Sequence, residues 1–158
     1  IVRLREIVSD LRPPMLTYGL KYALEGLADN LSERDHDTTR ILTQIEAVDG
    51  CRYPENVEHN LYRVIQEACE NALKYAHARS IEIAGELSPG RVALQVVDDG
   101  VGFKDGIGSH LDEVIANKHY GLAGMHERAE LIGAVLNISS RPGQGTQIQI
   151  RWELKELI

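Results

Sequence analysis

Glu67, Asn71 and Lys74 stand at i, i+4 and i+7, so on a helix the three side chains share one face. At about 100° per residue that face borders the apolar stripe of Leu61, Val64, Ile65, Ala68, Ala72 and Ala76. Groups on such a border point into a cleft beside the core. Glu67 and Asn71 offer oxygen ligands and Lys74 a cation, a set suited to magnesium and phosphate. The plainer alternative is a solvated face with a Glu67–Lys74 pair.

A second centre lies at Asp98-Asp99-Gly100-Val101-Gly102-Phe103, directly after the alternating Val92, Leu94 and Val96. An acidic pair running into glycines suits neither a strand nor a helix, so here a buried strand ends and its backbone turns outward. A carboxylate at that point can accept hydrogen bonds from a ligand, and the glycines let backbone come close to it. A glycine series follows: Gly100, Gly102, Gly106, Gly108, Gly121 and Gly124. The run Gly121-Leu122-Ala123-Gly124-Met125 opens a helix, whose free backbone N–H groups face any anion placed there. Gly143-Gln144-Gly145-Thr146 then precedes a strand.

The elements that must position these groups are legible from periodicity. Residues 1–12 read as the tail of a helix, stopped by Pro13-Pro14. A second helix is expected over 15–33, with Leu16, Leu20, Ala23, Leu24, Leu27 and Leu31 on one side. A loop covers 32–39 and a strand 40–48. The helix carrying Glu67 and Asn71 spans about 55–77. Strands at 81–87 and 91–97 flank Ser88-Pro89-Gly90, a turn that supports antiparallel pairing. Residues 103–120 lack periodicity apart from a possible short turn at 111–116, as expected of a functional lid or a disordered loop. A helix over 122–132 buries Leu122, Met125, Ala129 and Ile132. Strands at 135–140 and 146–153 surround a second glycine turn. Together this is an α+β fold, one mixed sheet with helices on one face.

The 158 residues suit one domain. A formal net charge of -7 without a basic cluster argues against a nucleic-acid surface. No apolar run approaches the roughly 18 residues that cross a bilayer. The composition fits the cytoplasm. Cys51 and Cys69 form no metal spacing; Cys69, inside the helical pattern, reads as a small buried hydrophobe, and a disulfide between the two stays open. The start, Ile1-Val2-Arg3, has neither a methionine nor a signal peptide, so the chain reads as a fragment of something longer.

Taken in order, these segments resemble the catalytic ATP-binding domain of a bacterial sensor histidine kinase, in particular the subfamily partnering LuxR-type response regulators. Gln66-Glu67-Ala68-Cys69-Glu70-Asn71-Ala72-Leu73-Lys74-Tyr75-Ala76 resembles the family's N box, and Asp98-Asp99-Gly100-Val101-Gly102-Phe103 its G1 box. Gly121-Leu122-Ala123-Gly124-Met125-His126-Glu127-Arg128-Ala129 is similar to the G2 region, and Gly143-Gln144-Gly145-Thr146 to the last glycine-threonine box. Asp10-Leu11-Arg12-Pro13 looks like the joint between dimerisation helix and ATPase domain.

The resemblance implies the Bergerat fold, a two-layer α/β sandwich with a mixed, mostly antiparallel sheet. Residues 1–12 would be the C-terminal stub of the dimerisation helix. Residues 13–158 would be the catalytic domain, with a lid at about 103–120 ordering over nucleotide. It further implies ATP and Mg²⁺: Asn71 and Glu67 as metal-binding and catalytic residues, Lys74 at the phosphates, Asp98 accepting the adenine amino group, and Gly100 and Gly102 giving clearance for the base. Gly121, Leu122, Gly124 and Met125 would cap the phosphates, and Thr146 would reach the adenine side. Asp99 suits a capping role as well as contact. Tyr75 replaces a frequent histidine, and His126 replaces a frequent arginine.

None of the six histidines, His36, His59, His77, His110, His119 and His126, has the context of the family's phosphoacceptor. The resemblance therefore implies a kinase half that acts on an upstream dimerisation and phosphoacceptor domain of its own protein, a homodimer at full length, and that does not phosphorylate itself. His77 and His119 lie beside the expected site. Readings of another class also stand: an ATP hydrolase or clamp like the gyrase, mismatch-repair and heat-shock-chaperone ATPases, an anti-sigma-type serine kinase, or a non-enzymatic nucleotide-sensing module.

Overall fold

The computed structural model describes residues 12–35, 38–103 and 121–155. The helix tail expected before Arg12 and the lid expected beyond Phe103 lie outside these residues, as do His36, His110 and His119.

The helix expected over 15–33 is two elements. A 3-10 turn at Pro14–Tyr18 precedes helix α1, Leu20–Arg34, and Gly19 between them takes φ 107°, which no helix accommodates. The 3-10 turn folds back on α1, because a β-carbon at Gly26 would overlap the side chain of Met15. Every position expected on the buried side of this stretch, from Leu16 to Leu31, is in the core.

Strand β1 is Arg40–Ala47 and helix α2 is Glu55–Asn71. The sequence suggests one helix to residue 77. The structure keeps the chain helical but widens it into a π-type turn at Ala72–Ala76, which His77 ends in the left-handed conformation at φ 50°. Such widened turns are frequent at functional sites. Strands β2, Ser80–Ser88, and β3, Arg91–Asp98, form a hairpin; helix α3 is Leu122–Ile132, followed by β4, Val135–Ser140, and β5, Thr146–Glu153.

The sheet has the order β1-β2-β3-β5-β4. β1 and β2 run parallel, as their connection through α2 requires, and the other pairs are antiparallel. One face carries Ile81, Ile83, Val96, Ile148 and Ile150 into a core shared with all three helices. On the other face Gln95 Oε1 accepts from Gln147 Nε2 and Gln149 Nε2 at 3.2 and 3.3 Å. This is the expected α+β sandwich. Ile132 departs from expectation in being half-buried, since α3 ends there at Gly133.

An ion pair that spacing does not reveal secures α2. Glu58, in its first turn, is fully buried. Arg52 grips it through Nε to Oε2 at 3.0 Å and Nη2 to Oε1 at 2.9 Å. The same guanidinium donates to the carbonyls of Leu16 and Thr17, both at 3.0 Å, and Arg12 approaches Glu58 at 3.6 Å. The start of α2 is thereby tied to the 3-10 turn.

Cys51 and Cys69 are free thiols. Burial pushes the Cys69 thiol up to about 12, so it behaves as the small hydrophobe expected of it.

Candidate functional site

A cavity opens between the end of α2 and the ends of β3 and β5, lined among others by Asn71, Tyr75, Asp98, Phe103 and Thr146. The sheet register creates its inner wall. Asp98 pairs with Thr146 across β3 and β5, and Ser140 pairs with Thr146 across β4 and β5, so three buried polar residues stand in one row.

Asp98 Oδ1 accepts the amide of Gly100 at 2.8 Å, and the carboxylate also accepts the Thr146 amide. Burial raises the Asp98 carboxyl above its ordinary range, and these two bonds hold it back. Asp99 points the other way. Its Oδ1 accepts the amides of Arg79 and Ser80 at 2.8 and 3.0 Å, and its Oδ2 accepts the Ser80 hydroxyl at 3.2 Å, which lowers its carboxyl below the usual range. Asp99 caps the start of β2.

Close backbone approach explains the glycines of this wall. A β-carbon on Gly100 would collide with the Ala76 carbonyl, and one on Gly102, at φ 71°, with that of Arg141. The loop after β3 is zipped to the β4–β5 turn by Gly143 N to Val101 O at 2.6 Å and by Phe103 N to Ser140 Oγ at 2.7 Å.

The opposite wall comes from α2. Asn71 is buried at its last position and lines the cavity, whereas Glu67, half-buried one turn earlier, and Lys74, exposed on the π-type turn, are not part of that lining. Desolvation, then the charge of Glu70, raises the Glu67 carboxyl, while Lys74 and Arg128 oppose the shift. The Glu67 carboxylate lies against Gly121, whose added β-carbon would sit 2.7 Å from Oε1. The helix motif and the glycine-opened motif thus meet.

At α3, Gly121 at φ 67° is the N-cap and its carbonyl accepts the Met125 amide at 3.2 Å. Leu122 and Met125 are buried in the core, so of these two only backbone is available to a ligand. A β-carbon on Gly124 would point into open space among the described residues. The first-turn amides from Leu122 to Gly124 have no acceptor within the helix itself. His77 and His126 are exposed.

Residues 56–156 match the family "Histidine kinase-, DNA gyrase B-, and HSP90-like ATPase". The chain belongs to this ATPase family. The ATPase domain is 36% identical over 148 residues to an uncharacterized sensor-like histidine kinase of Chloroflexus aurantiacus, covering 92% of this chain and 24% of that protein. It is 32% identical over 149 residues to the sensor histidine kinase LiaS of Bacillus subtilis, covering 94% and 38%. The chain thus spans well under half the length of these relatives. Among solved structures, the histidine kinase domain of the Erythrobacter litoralis blue-light activated kinase superposes with a TM-score of 0.63 at 21% identity, covering 85% of this chain and 60% of that one. Full-length ShkA in complex with AMPPNP superposes with a TM-score of 0.64 at 18% identity, covering 85% and 30%. These likenesses agree on the fold of the ATPase domain.

From the sequence alone Ser140 has no role, and Gly145 enters only as part of the glycine-threonine box. Gly145, at φ 76°, abuts the Asp98 carbonyl, where a β-carbon would collide. Ser140 carried a usable signal: it shares strand parity with Leu136 and Ile138, so a hydroxyl had to face inward at a strand end.

Proposed function

We propose that this ATPase domain binds Mg-ATP in the cavity between α2 and β3 and presents the γ-phosphate to a histidine on an upstream helix of the same protein, as the catalytic half of a two-component sensor histidine kinase. The observation that carries this reading is the pairing of a buried strand-end carboxylate, Asp98, with the buried carboxamide of Asn71 at the end of α2, both lining one cavity.

The residues fit a hard cation. Glu67 supplies a carboxylate whose ionised form the fold leaves poorly solvated, and Asn71 supplies a carboxamide oxygen. Among the described residues no cluster of three or more His, Cys, Asp or Glu could hold a metal alone. Two protein oxygens, with the rest from phosphate and water, suit magnesium, which keeps part of its hydration shell. When bound, magnesium would neutralise phosphate charge.

Phosphoryl transfer depends mainly on positioning and charge stabilisation. Asp98 accepts the adenine amino group, and Thr146 lies beside it. Lys74 and the first-turn amides of α3 face the phosphates, while the side chains of Leu122 and Met125 anchor that turn in the core. The response-regulator partner would be of the LuxR type, met through the full-length homodimer. Among the described residues, no helix is long and apolar enough to cross a membrane.

Calorimetry with ATP in the presence and absence of Mg²⁺ tests the reading. Asn71→Ala should lose the Mg²⁺-dependent part of binding, more than about tenfold, with an unchanged circular dichroism spectrum. Residues 1–158 alone should incorporate no label from γ-labelled ATP.

One observation favours a second reading, an ATP hydrolase. The Glu67 carboxyl, raised by burial, could serve as the base that activates water. Steady turnover that disappears in Glu67→Gln supports hydrolysis; negligible turnover with intact ATP binding supports the kinase.

A further inference from the structure

Ser140 is 4% exposed and its hydroxyl has three neighbours. The Phe103 amide donates to it at 2.7 Å, the Gly145 carbonyl lies at 3.3 Å, and Thr146 Oγ1 lies at 2.8 Å, where either oxygen could donate. A serine hydroxyl has one proton and two lone pairs. Phe103 occupies one lone pair, and the carbonyl can only accept the proton. The remaining contact then requires Thr146 to be the donor. The reverse arrangement sacrifices the bond to Gly145 in a buried setting, where an unmade hydrogen bond is costly.

Thr146, 8% exposed, therefore has its proton committed to Ser140 and turns only lone pairs toward the cavity. Asp98, in register beside it, offers carboxylate oxygens, and the amides of Gly100 and Thr146 are spent on that carboxylate. The side chains of this wall are all acceptors. An acceptor-only wall matches an exocyclic amine and disfavours a carbonyl at the same position.

From this geometry we infer that Ser140 is a positioning residue for base selection: by taking the proton of Thr146 it makes the cavity prefer a 6-amino purine over a 6-oxo purine. The inference rests on reading the cavity as the nucleotide pocket. It adds that selection depends on a residue beyond Asp98, and that the same hydroxyl holds the backbone of Phe103, which lines the cavity.

Calorimetry with Mg-ATP and Mg-inosine triphosphate, which carries a 6-carbonyl, tests it on the full chain. In Ser140→Ala the freed Thr146 hydroxyl can turn and donate, so the ATP to inosine triphosphate affinity ratio should fall roughly three- to tenfold. In a Thr146→Val background the same substitution should leave the ratio unmoved. Equal weakening of both nucleotides by Ser140→Ala means a purely structural role and overturns the inference. Equal affinity of the wild type for both nucleotides also overturns it while leaving the nucleotide pocket standing; binding of neither removes both readings. If Ser140→Ala does not fold, Ser140→Cys keeps nearly the same shape with a weak hydrogen-bonding group and should shift the ratio in the same direction.

Discussion

Gly100 lies so close to Ala76 that a β-carbon on it would occupy the space of the Ala76 carbonyl. That carbonyl accepts the neighbouring Val101 amide at 2.8 Å. The end of the π-type turn and the end of β3 are thus clamped together, which holds Asn71 and Asp98 on opposite sides of one cavity. Gly100→Ala must push these elements apart, at a cost of about 1–3 kcal/mol in stability, together with loss of ATP binding. Urea denaturation and calorimetry measure both. Gly124→Ala is the contrasting case, since its β-carbon meets nothing among the described residues. It should leave stability level or raise it by up to about 1 kcal/mol while weakening nucleotide binding.

Asp98→Asn keeps the shape of the side chain but offers an amide where two backbone N–H groups and the proposed adenine amine all require acceptors. ATP affinity should fall by roughly 1–3 kcal/mol. Calorimetry showing unchanged affinity would remove the adenine assignment.

Glu67 links function to a pH-dependent loss of stability. Its carboxyl is raised above the ordinary 4.5, by burial first, so the folded state binds this proton more tightly than the unfolded chain. The stabilising contribution is complete below the unfolded pKa and is lost as pH rises through the folded one. Glu67→Gln should therefore melt at a higher temperature than the wild type at pH 7 without nucleotide. The two curves should converge as the pH falls below about 4.5. Saturating Mg-ATP should reverse the order at pH 7, because only the wild type gains the full ligand contribution.

Arg52→Met leaves the buried Glu58 carboxylate without its bidentate partner. Breaking a buried pair costs about 3–5 kcal/mol, and the half-exposed position of Arg52 places this case at the lower end. Adding Glu58→Met should recover most of the loss. Equilibrium denaturation of the two variants checks the coupling; additive losses would mean that the pair contributes little.

Much of this molecule was legible in the chain of residues because it is local. Apolar spacing along Leu61 to Ala76 sets the buried side of α2. The alternation of Val92, Leu94 and Val96 delivers Asp98 to the inner face. Proline and glycine punctuation marks both hairpins. The departures are also local, but depend on details that spacing averages away. Gly19 at φ 107° splits the first helix, and the π-type turn after Asn71 keeps the helical pattern while changing its pitch.

The residue types and their order thus sufficed for the ATPase family, the two-layer fold and the identity of the polar groups, because hydrophobic periodicity and motif spacing act within one element. Folding in three dimensions assigned Asp99 to capping β2, confined Leu122 and Met125 to the core, set Gly121 against Glu67, and placed Ser140, Thr146 and Asp98 in one row. Those relationships join residues far apart in the chain through strand register and helix docking. Register is an outcome of the whole core's packing, so no single segment encodes which hydroxyl donates to which.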